Sequence, residues 1–257
     1  NKSSNTYVGW AWKANGGTTS SNTDGSITST VQANTTAGFS IITYTGTGGT
    51  GHTFLHGLGA APGWLLIKRT SGTEDWLVFH HKNTSDPATD HLLLNTNDAT
   101  SDSATRFDDT APNGTEVACG NNAVINGDGS TYVCWAWKEV KGFSKFGKYT
   151  GNGSADGPLV YTGFKPAFLM IKRSNGAGYW VMLDSKRNLP NGTGQRLGAQ
   201  ATDAEYGSTN IDFLSNGFKV RASNSDSDTN LDGGTYVYMA FADKPYVTPN
   251  GVISTAV

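Results

Sequence analysis

Five histidines could contribute to a metal site, and all of them lie in the first half of the chain. His52 and His56 form an HxxxH spacing, His80 and His81 are adjacent, and His91 follows ten residues later. Three imidazoles on neighbouring strands could meet and bind a transition metal. We favour the alternative that these are surface and turn histidines on half-exposed strands, because the aligned positions in the second half of the chain are not histidine.

The acidic stretch SNSDSDTNLDGG, residues 223–234, is a second candidate metal site. Its oxygen-bearing side chains at alternate positions are Asp226, Asp228, Asn230 and Asp232. This alternation resembles the start of a calcium-binding loop. The stretch departs from the EF-hand pattern, because Leu231 stands where the glycine belongs and the twelfth position is not glutamate. We therefore favour a solvated hairpin loop and keep calcium binding as the alternative.

Tryptophan faces can stack on sugar rings, and the chain has seven tryptophans. Trp76 and Trp180 flank predicted hairpin turns, so we expect these two at the surface as candidate ligand-binding residues. Four others lie in a recurring strand motif, which favours packing in a core: Trp10, Trp12, Trp135 and Trp137.

Two IKR sequences place paired cations at the ends of apolar strands. The cations are Lys68 and Arg69 in the first sequence, and Lys172 and Arg173 in the second. Such cations usually mark the point where a strand leaves the core. Alternatively, they form matching cationic edges that bind acidic glycans.

The sequence contains none of the common catalytic motifs, such as GxSxG, HExxH, Walker A or GxGxxG before a helix. No two carboxylates stand out as a glycosidase pair. We therefore expect no enzymatic activity and no cofactor. The net charge of −2 gives no basic surface for nucleic acid, and no apolar run is long enough for membrane insertion.

The chain contains an internal repeat of about 100 residues. HGLGAAPGWLLIKRTSG at 56–72 aligns with YTGFKPAFLMIKRSNG at 161–176, and TYVCWAWK at 131–138 aligns with TYVYMAFA at 235–242. The offset is 104 or 105 throughout, which places Trp76 on Trp180 and Ala136 on Ala240. Several motifs in one order at one offset indicate two copies of one unit.

Each unit reads as a series of short strands separated by NG, DG, GG and SG turns. The low charge, at 16% of residues, and the abundant Gly, Ser, Thr and Asn also favour strands over helices. We predict an all-β protein made of two tandem antiparallel β-sandwich units, jelly-roll-like in character. The predicted boundaries are 1–37 for a leftover strand plus a flexible or extended connector, 38–140 and 141–245 for the two repeats, and 246–257 for a tail.

The motif TYVGWAWK at 6–13 matches the closing strand of each repeat. We therefore predict a β-strand there, with Trp10 and Trp12 largely buried. In the complete repeats the matching face, which carries Val133, Trp135 and Trp137, should line the core. The partner of this strand could be upstream sequence, the first repeat or a neighbouring protomer. Cys119 and Cys134 are expected to be buried thiols, with a single bridge as the alternative.

Several stretches together resemble a tandem-repeat domain family of marine tailed bacteriophages. They are GFSIITYTGTG, HGLGAAP, YTGNGSADGPLVYTGFKPAFLMIKR, DFLSNGFKVR and the TYVxWAWK closures. Proteins of that family are described as tail-fibre or virion structural proteins without a defined biochemical activity. The resemblance therefore implies a location on the surface of a virion but no catalytic or binding residue.

Three functions remain open from the sequence. The first is a non-enzymatic tail fibre or other virion appendage, homo-oligomeric and attached to other virion proteins, that adheres to a host surface and binds its glycans. The second is a virion-borne polysaccharide depolymerase. The third is a structural capsid or collar decoration protein that binds only other virion proteins.

Overall fold

The computed structural model describes residues 6–17, 19–187, 195–207, 211–224 and 226–243. These residues form an all-β structure of antiparallel sheets with two single-turn helices. No helix among them is long and apolar enough to cross a membrane. The predicted fold class is therefore confirmed.

The elements of the first repeat, in chain order, are β1 (Ser20–Asn22), β2 (Ser29–Asn34), β3 (Phe39–Thr45), β4 (His52–Leu55), β5 (Trp64–Arg69), β6 (Leu77–His80), β7 (Asp90–Leu93), β8 (Ser101–Asp102), α1 (Ala104–Phe107), β9 (Glu116–Cys119), α2 (Ala123–Asn126) and β10 (Thr131–Trp137). The second repeat contains β11 (Ser144–Thr150), β12 (Leu159–Tyr161), β13 (Pro166–Arg173), β14 (Trp180–Asp184), β15 (Leu197–Gly198), β16 (Ile211–Leu214), β17 (Gly217–Val220) and β18 (Thr235–Ala242).

Each repeat has a large sheet and a small sheet. The large sheets have the spatial orders β1-β2-β3-β10-β5-β6-β7-β8 and β11-β18-β13-β14-β15. The stretch β3-β10-β5-β6-β7 therefore has the same order as the whole large sheet of the second repeat. The small sheets are β4-β9 and β12-β17-β16. In each repeat a hydrophobic core lies between the inner face of the large sheet and the small sheet.

The two repeats share a hydrogen-bonded tyrosine pair in the core. The Tyr44 ring stacks on Tyr132 with centroids 5.0 Å apart, and the Tyr44 hydroxyl donates to the Ile125 carbonyl at 2.7 Å. In the second repeat Tyr149 stacks on Tyr236 at the same centroid distance, and its hydroxyl donates to the equivalent carbonyl at 2.7 Å. Buried hydroxyls need such acceptors, so the repeats keep the same internal polar contacts as well as the same strands.

A buried asparagine gives a second shared feature. The side chain of Asn126 accepts from the Thr47 amide and donates to the Gly49 and Gly120 carbonyls. Asn230, its equivalent, accepts from the Asn152 amide and donates to two carbonyls in the same way. One amide side chain thus ties three loop segments together in each repeat.

The outer faces of the two large sheets pack against each other. Trp64 of the first repeat lies at this interface, with its ring centroid 5.9 Å from that of Trp180 and 6.4 Å from that of Phe146. The buried residues that meet here are Phe39, Trp64, Val78, Leu92 and Trp137 of the first repeat, and Phe146, Phe168, Trp180, Val237, Met239 and Phe241 of the second. Burial of each large aromatic side chain contributes roughly 2–3 kcal/mol, so this interface joins the repeats into one body.

Two neighbouring histidines of the first repeat form hydrogen bonds to backbone carbonyls of the second repeat across this interface. His80 Nε2 donates to the Tyr238 carbonyl at 3.2 Å, and its Nδ1 accepts from the Lys82 amide at 3.0 Å. His81 Nε2 lies 2.8 Å from the Phe146 carbonyl. The two contacts of His80 require a neutral ring with the proton on Nε2.

The alternation along β10 is as predicted, but the face that lines the core of the repeat is the opposite one. Tyr132, Cys134 and Ala136 point into the first repeat's core. Trp137 points to the interface between the repeats, and Trp135 is only half-buried. The prediction that the tryptophan face lines the core was wrong, because the large sheet has two apolar faces and periodicity alone does not rank them.

Residues 6–13 do not form a β-strand, contrary to the prediction, although Trp10 and Trp12 are half-buried. The Trp12 ring contacts Phe168 at 5.4 Å and Phe241 at 5.3 Å. The segment therefore lies across both repeats of its own chain rather than completing a sheet. The connector is also more ordered than predicted, because β1 and β2 extend the first large sheet. Both cysteines are buried free thiols, as expected.

The buried ring of His80 predicts that the stability of the protein depends on pH. Burial, together with the neighbouring His81, lowers the pKa of His80 to about 3, whereas an unfolded histidine titrates near 6.5. The unfolded chain therefore binds a proton that the folded chain does not, and stability falls as the pH decreases from about 6.5 towards about 3. The loss is about 1.4 kcal/mol per pH unit.

The variant His80→Asn keeps an acceptor for the Lys82 amide and removes the titrating ring. Between about pH 6.5 and 4.5, wild type should lose roughly 2–3 kcal/mol more stability than this variant, measured by urea unfolding at each pH. Parallel pH profiles for the two proteins would show that His80 is not buried as a neutral ring.

Candidate functional site

Two half-buried tryptophans form a stacked pair on the outer face of the first large sheet. Trp135 lies on the central strand β10, opposite Leu66 of β5 and Ile41 of β3. Trp76 precedes β6 and reaches across β5 to stack on Trp135, with centroids 5.7 Å apart and planes 9° apart. The second repeat does not cover this part of the sheet, so the pair remains open to solvent.

The pair lines a groove with a volume of about 370 Å³. We call it the tryptophan groove, and its lining residues are Trp10, Trp12, Phe39, Ile41, Leu66, Trp76, Trp135 and Trp137. All eight are apolar or aromatic. A volume of this size fits one or two sugar rings or a comparable small ligand.

Polar side chains lie at the Trp76 end of the groove. Asn95 accepts from the Trp76 amide at 2.8 Å and donates to the Asp75 carboxylate at 2.8 Å. Lys68 Nζ lies 6.0 Å from the centroid of the Trp76 ring and donates to the Glu74 carbonyl. An apolar floor with a rim of amide, carboxylate and ammonium groups can stack on one face of a sugar and hydrogen-bond its hydroxyls.

Arg69 is less available than Lys68. Its guanidinium pairs with the Glu74 carboxylate at 3.4 Å and contacts the Ser71 hydroxyl at the same distance. Both groups are partly exposed, so the ion pair adds little stability. Of the two predicted cations in this repeat, only Lys68 contacts the Trp76 ring.

Trp180 does not belong to a surface site, which corrects the prediction. Its side chain is 0% exposed, and its indole N–H donates to the Leu93 carbonyl of the first repeat at 2.8 Å. The offset that aligns Trp76 with Trp180 is real, but the two positions face different surroundings. The same outward position is open in one repeat and covered in the other.

The cations of the second repeat do not form an edge that matches Lys68 and Arg69. Lys172 is buried, and its ammonium donates to the carbonyls of Asn97 and Arg173 at 3.2 and 2.7 Å. Burial lowers the pKa of Lys172 to about 8, while the nearby carboxylates Asp228 and Asp98 oppose that shift. Lys172 therefore holds the repeats together. Its burial contradicts both the interpretation that this cation marks the point where the strand leaves the core and the alternative of matching glycan-binding edges.

The acidic loop does not form the calcium site that the sequence offered as the alternative interpretation. The Asp226 and Asp228 carboxylates pair with the Arg196 guanidinium at 3.2 and 3.4 Å. Asn230 is buried in the contacts described above, and only Asp232 is exposed. Because one arginine neutralises two carboxylates, a cation would have to displace it. The solvated-loop interpretation is also wrong in part, since Asp228 and Asn230 are buried.

The histidines are not brought together as a metal site. His80 and His81 lie at the interface between repeats. The His56 ring instead hydrogen-bonds to the Leu58 amide and the Asn113 carbonyl. His91 is buried, and burial lowers its pKa to about 4. Within the described ranges, no group of three or more His, Cys, Asp or Glu side chains is arranged to hold a metal ion.

A larger cavity of about 830 Å³ adjoins the tryptophan groove and shares Trp10, Trp12 and Phe39 with it. The N-terminal segment forms one wall, and Phe168 and Phe241 of the second repeat form another. The carboxylates on its border are paired, Asp184 with Arg187 at 2.5 Å and Asp243 with Lys186 at 3.7 Å. The cavity therefore extends the apolar surface without adding a free acid pair.

Trp135 was missed as a candidate site residue, since the recurring strand motif suggested a core position. The alignment gives only a weak signal. The outward Trp135 becomes Met239, but the inward Cys134 also becomes Tyr238 and the outward Val133 is unchanged at 237. Exchange between the copies therefore does not separate the outward face of this strand from the inward face.

The fold and the groove define a tandem-repeat all-β protein with an exposed aromatic groove on its first repeat. The chain belongs to the family described as Domain of unknown function (DUF7483), whose model matches residues 1–245. No curated protein and no solved structure matches the chain.

The two aligned tryptophans should differ strongly in their effect on stability. Trp180→Ala should lower the free energy of unfolding by about 3–5 kcal/mol, because it leaves a cavity at the repeat interface and an unpaired Leu93 carbonyl. Trp76→Ala should cost less than about 1.5 kcal/mol, because the side chain is half exposed. Denaturant unfolding monitored by circular dichroism measures both, and equal losses would contradict the assignment of Trp76 to an open groove.

The arginine in the acidic loop predicts the response to calcium. Millimolar Ca²⁺ should leave the melting temperature of the wild type unchanged, since Arg196 already neutralises Asp226 and Asp228. Arg196→Gln should lower stability by about 2–3 kcal/mol through loss of these charged hydrogen bonds. Differential scanning calorimetry with and without Ca²⁺ tests both statements, and a rise of several degrees in the wild type would restore the calcium interpretation.

Proposed function

We propose that this protein is a non-enzymatic component of a bacteriophage particle, part of a tail fibre or comparable surface appendage, that adheres to host-surface carbohydrate. The tryptophan groove of the first repeat is the proposed binding site. The protein is proposed to act as a homo-oligomer attached to other virion proteins, with no cofactor, at the virion surface.

The stacked Trp76–Trp135 pair is the observation that carries the binding proposal. Two parallel indoles at a solvent-open surface, 5.7 Å apart, present a flat apolar face of the kind that stacks on a pyranose ring. Such a face costs free energy in water unless a ligand covers it. The rim groups Asp75 and Asn95 supply acceptors and donors for sugar hydroxyls, and Lys68 favours an acidic saccharide.

The groove supports binding rather than hydrolysis. Glycoside hydrolysis uses two carboxyl groups on either side of the scissile bond, and none of the eight lining residues carries a carboxylate. The nearest acid at the rim, Asp75, is hydrogen-bonded to Asn95. A depolymerase is therefore the weaker alternative.

The virion context is supported by the sequence resemblance and by the architecture. Tandem β-units rich in Gly, Ser, Thr and Asn, joined by three residues, suit a particle protein that must survive outside the cell. A structural decoration protein with no glycan ligand is the second alternative, and the exposed aromatic groove argues against it.

A glycan array probed with the purified full chain, followed by calorimetric titration of the best oligosaccharide, tests the proposal. Trp76→Ala should weaken binding at least about tenfold, which corresponds to about 1.4 kcal/mol. Lys68→Gln should weaken binding of acidic saccharides and leave neutral ones unchanged.

Tyr7→Ala is the control, because Tyr7 is an exposed aromatic residue that is not among the lining residues of the groove. Release of reducing sugar from host capsule would instead indicate a depolymerase. An array without hits, together with tight binding to capsid or tail proteins, would favour the decoration protein.

A further inference from the structure

In the first repeat, the segment around β2 covers the edges of both sheets. β2 pairs with β3 in the large sheet from Phe39 to Tyr44. Just before β2, the Ile27 amide donates to the Thr53 carbonyl of β4 at 2.9 Å. At the start of β2, Ser29 Oγ donates to the Leu55 carbonyl at 3.3 Å. The edge strands β3 and β4 are therefore not free on this side of the repeat.

Gly25 begins this covering segment and needs to be glycine. A Cβ atom at this position would lie 2.6 Å from the Thr53 carbonyl oxygen and 2.9 Å from a Leu55 methyl group. Contacts below 3.0 Å with backbone do not occur in real structures, so the segment reaches β4 only because it has no side chain there. The sequence of residues 25–31 is GSITSTV.

The second repeat has the same two edges without this cover. Phe54 pairs with Val117 in the small sheet, and Val160 pairs with Phe218 at the equivalent place. This register aligns the flanking residues Thr53 and Leu55 with Leu159 and Tyr161 of β12, one residue away from the offset of 105 in the sequence alignment.

Leu159 and Tyr161 are 59% and 65% exposed, which is unusual for large apolar residues side by side on an edge strand. Among the residues that the structure describes, no strand pairs with the outer edge of β11 or of β12. An open pair of edges with an apolar surface favours the addition of a further strand.

The chain contains a second segment of the covering type. Residues 251–257, outside the described part of the chain, have the sequence GVISTAV. Glycine, isoleucine and valine stand at the same spacing in GSITSTV and GVISTAV, with serine or threonine shared at two of the positions between them. The glycine that the close approach requires is therefore present in both.

We propose that residues 251–257 of a second copy of this chain add to the open edges of the second repeat, as residues 25–31 do within the first. Gly251 and Val252 would approach Tyr161 and Leu159 of β12, as Gly25 and Ser26 approach Leu55 and Thr53. Ile253 and Val257 would extend the β11 edge and take the inward positions that Ile27 and Val31 have in the first core. The proposal concerns assembly and does not depend on the tryptophan groove.

We assign the added segment to a second copy, because residues 251–257 of the same chain can reach this edge only if the preceding residues are almost fully extended. By the β2–β3 register, Ile253 would lie just beyond the Thr150 end of β11, whereas β18 ends beside Ser144 at the opposite end. The separation along the strands is about 30 Å at 3.3 Å per residue. The ten residues from Asp243 to Ile253 span at most about 33–36 Å and would have to be almost straight while also passing around the edge.

The mass of the full chain in solution tests the proposal. By size-exclusion chromatography with light scattering, the wild type should form a dimer or larger assembly at micromolar to sub-millimolar concentration. The variant Ile253→Asp/Val257→Asp should return to the 27.2 kDa of a single chain. Leu159→Ser/Tyr161→Ser should do the same from the other side of the contact, and its substituted side chains are too exposed to unfold the repeat.

Tyr7→Ser is the matched control, because Tyr7 is 62% exposed and lies on the N-terminal segment. This variant should keep the wild-type mass. A monomeric wild type would overturn the proposal, and so would an unchanged mass in both double variants. Loss of glycan binding in Trp76→Ala with an unchanged mass would support the proposed function and would leave the assembly proposal unaffected.

Disulfide trapping distinguishes a second copy from the same chain. Ser26 Oγ accepts from the Thr53 amide at 2.8 Å, and the equivalents of this pair are Val252 and Leu159. Chains with Val252→Cys, mixed with chains carrying Leu159→Cys, should form a cross-linked pair under mild oxidation. Native Cys119 and Cys134 are buried and should not react. A doubly substituted chain that closes only within itself would overturn the second-copy assignment.

Discussion

The structure depends on burial of the second apolar face of each large sheet. Each face would be exposed if a repeat stood alone, because the inner face already packs on the small sheet. Stacking the two outer faces buries Trp64 against Trp180 and removes most of this apolar area from water. The three-residue linker, 139–141, keeps the repeats close enough for this contact.

Polar groups at this interface set the relative position of the sheets. Trp180, His80 and Lys172 each donate a hydrogen bond to a backbone carbonyl of the other repeat. A sliding movement would leave these buried donors without acceptors, which costs about 1–3 kcal/mol each. The apolar stacking supplies the attraction, and the donors fix one register.

The tryptophan groove follows from incomplete coverage at this same interface. The second repeat covers the part of the first sheet around Trp64, and the N-terminal segment packs beside it through Trp12. The Trp76–Trp135 pair lies beyond both. Two copies of one unit thus acquire different roles: the outer face of the second repeat buries Trp180 against the first repeat, while the equivalent Trp76 of the first repeat remains open for a ligand.

The sequence by itself determined the repeat and the strand class. Turn residues at short intervals and a constant offset predict the strands, and they hold because hairpin chemistry and alternation are local. Tyr132 and Ala136 recur at 236 and 240, and both repeats place them in the core. The tertiary structure alone decided which face of β10 became the core of the repeat and which tryptophan stayed in water. Trp76 and Trp180 are equivalent in sequence, and only the packing of one repeat on the other makes the first a groove residue and the second a buried one.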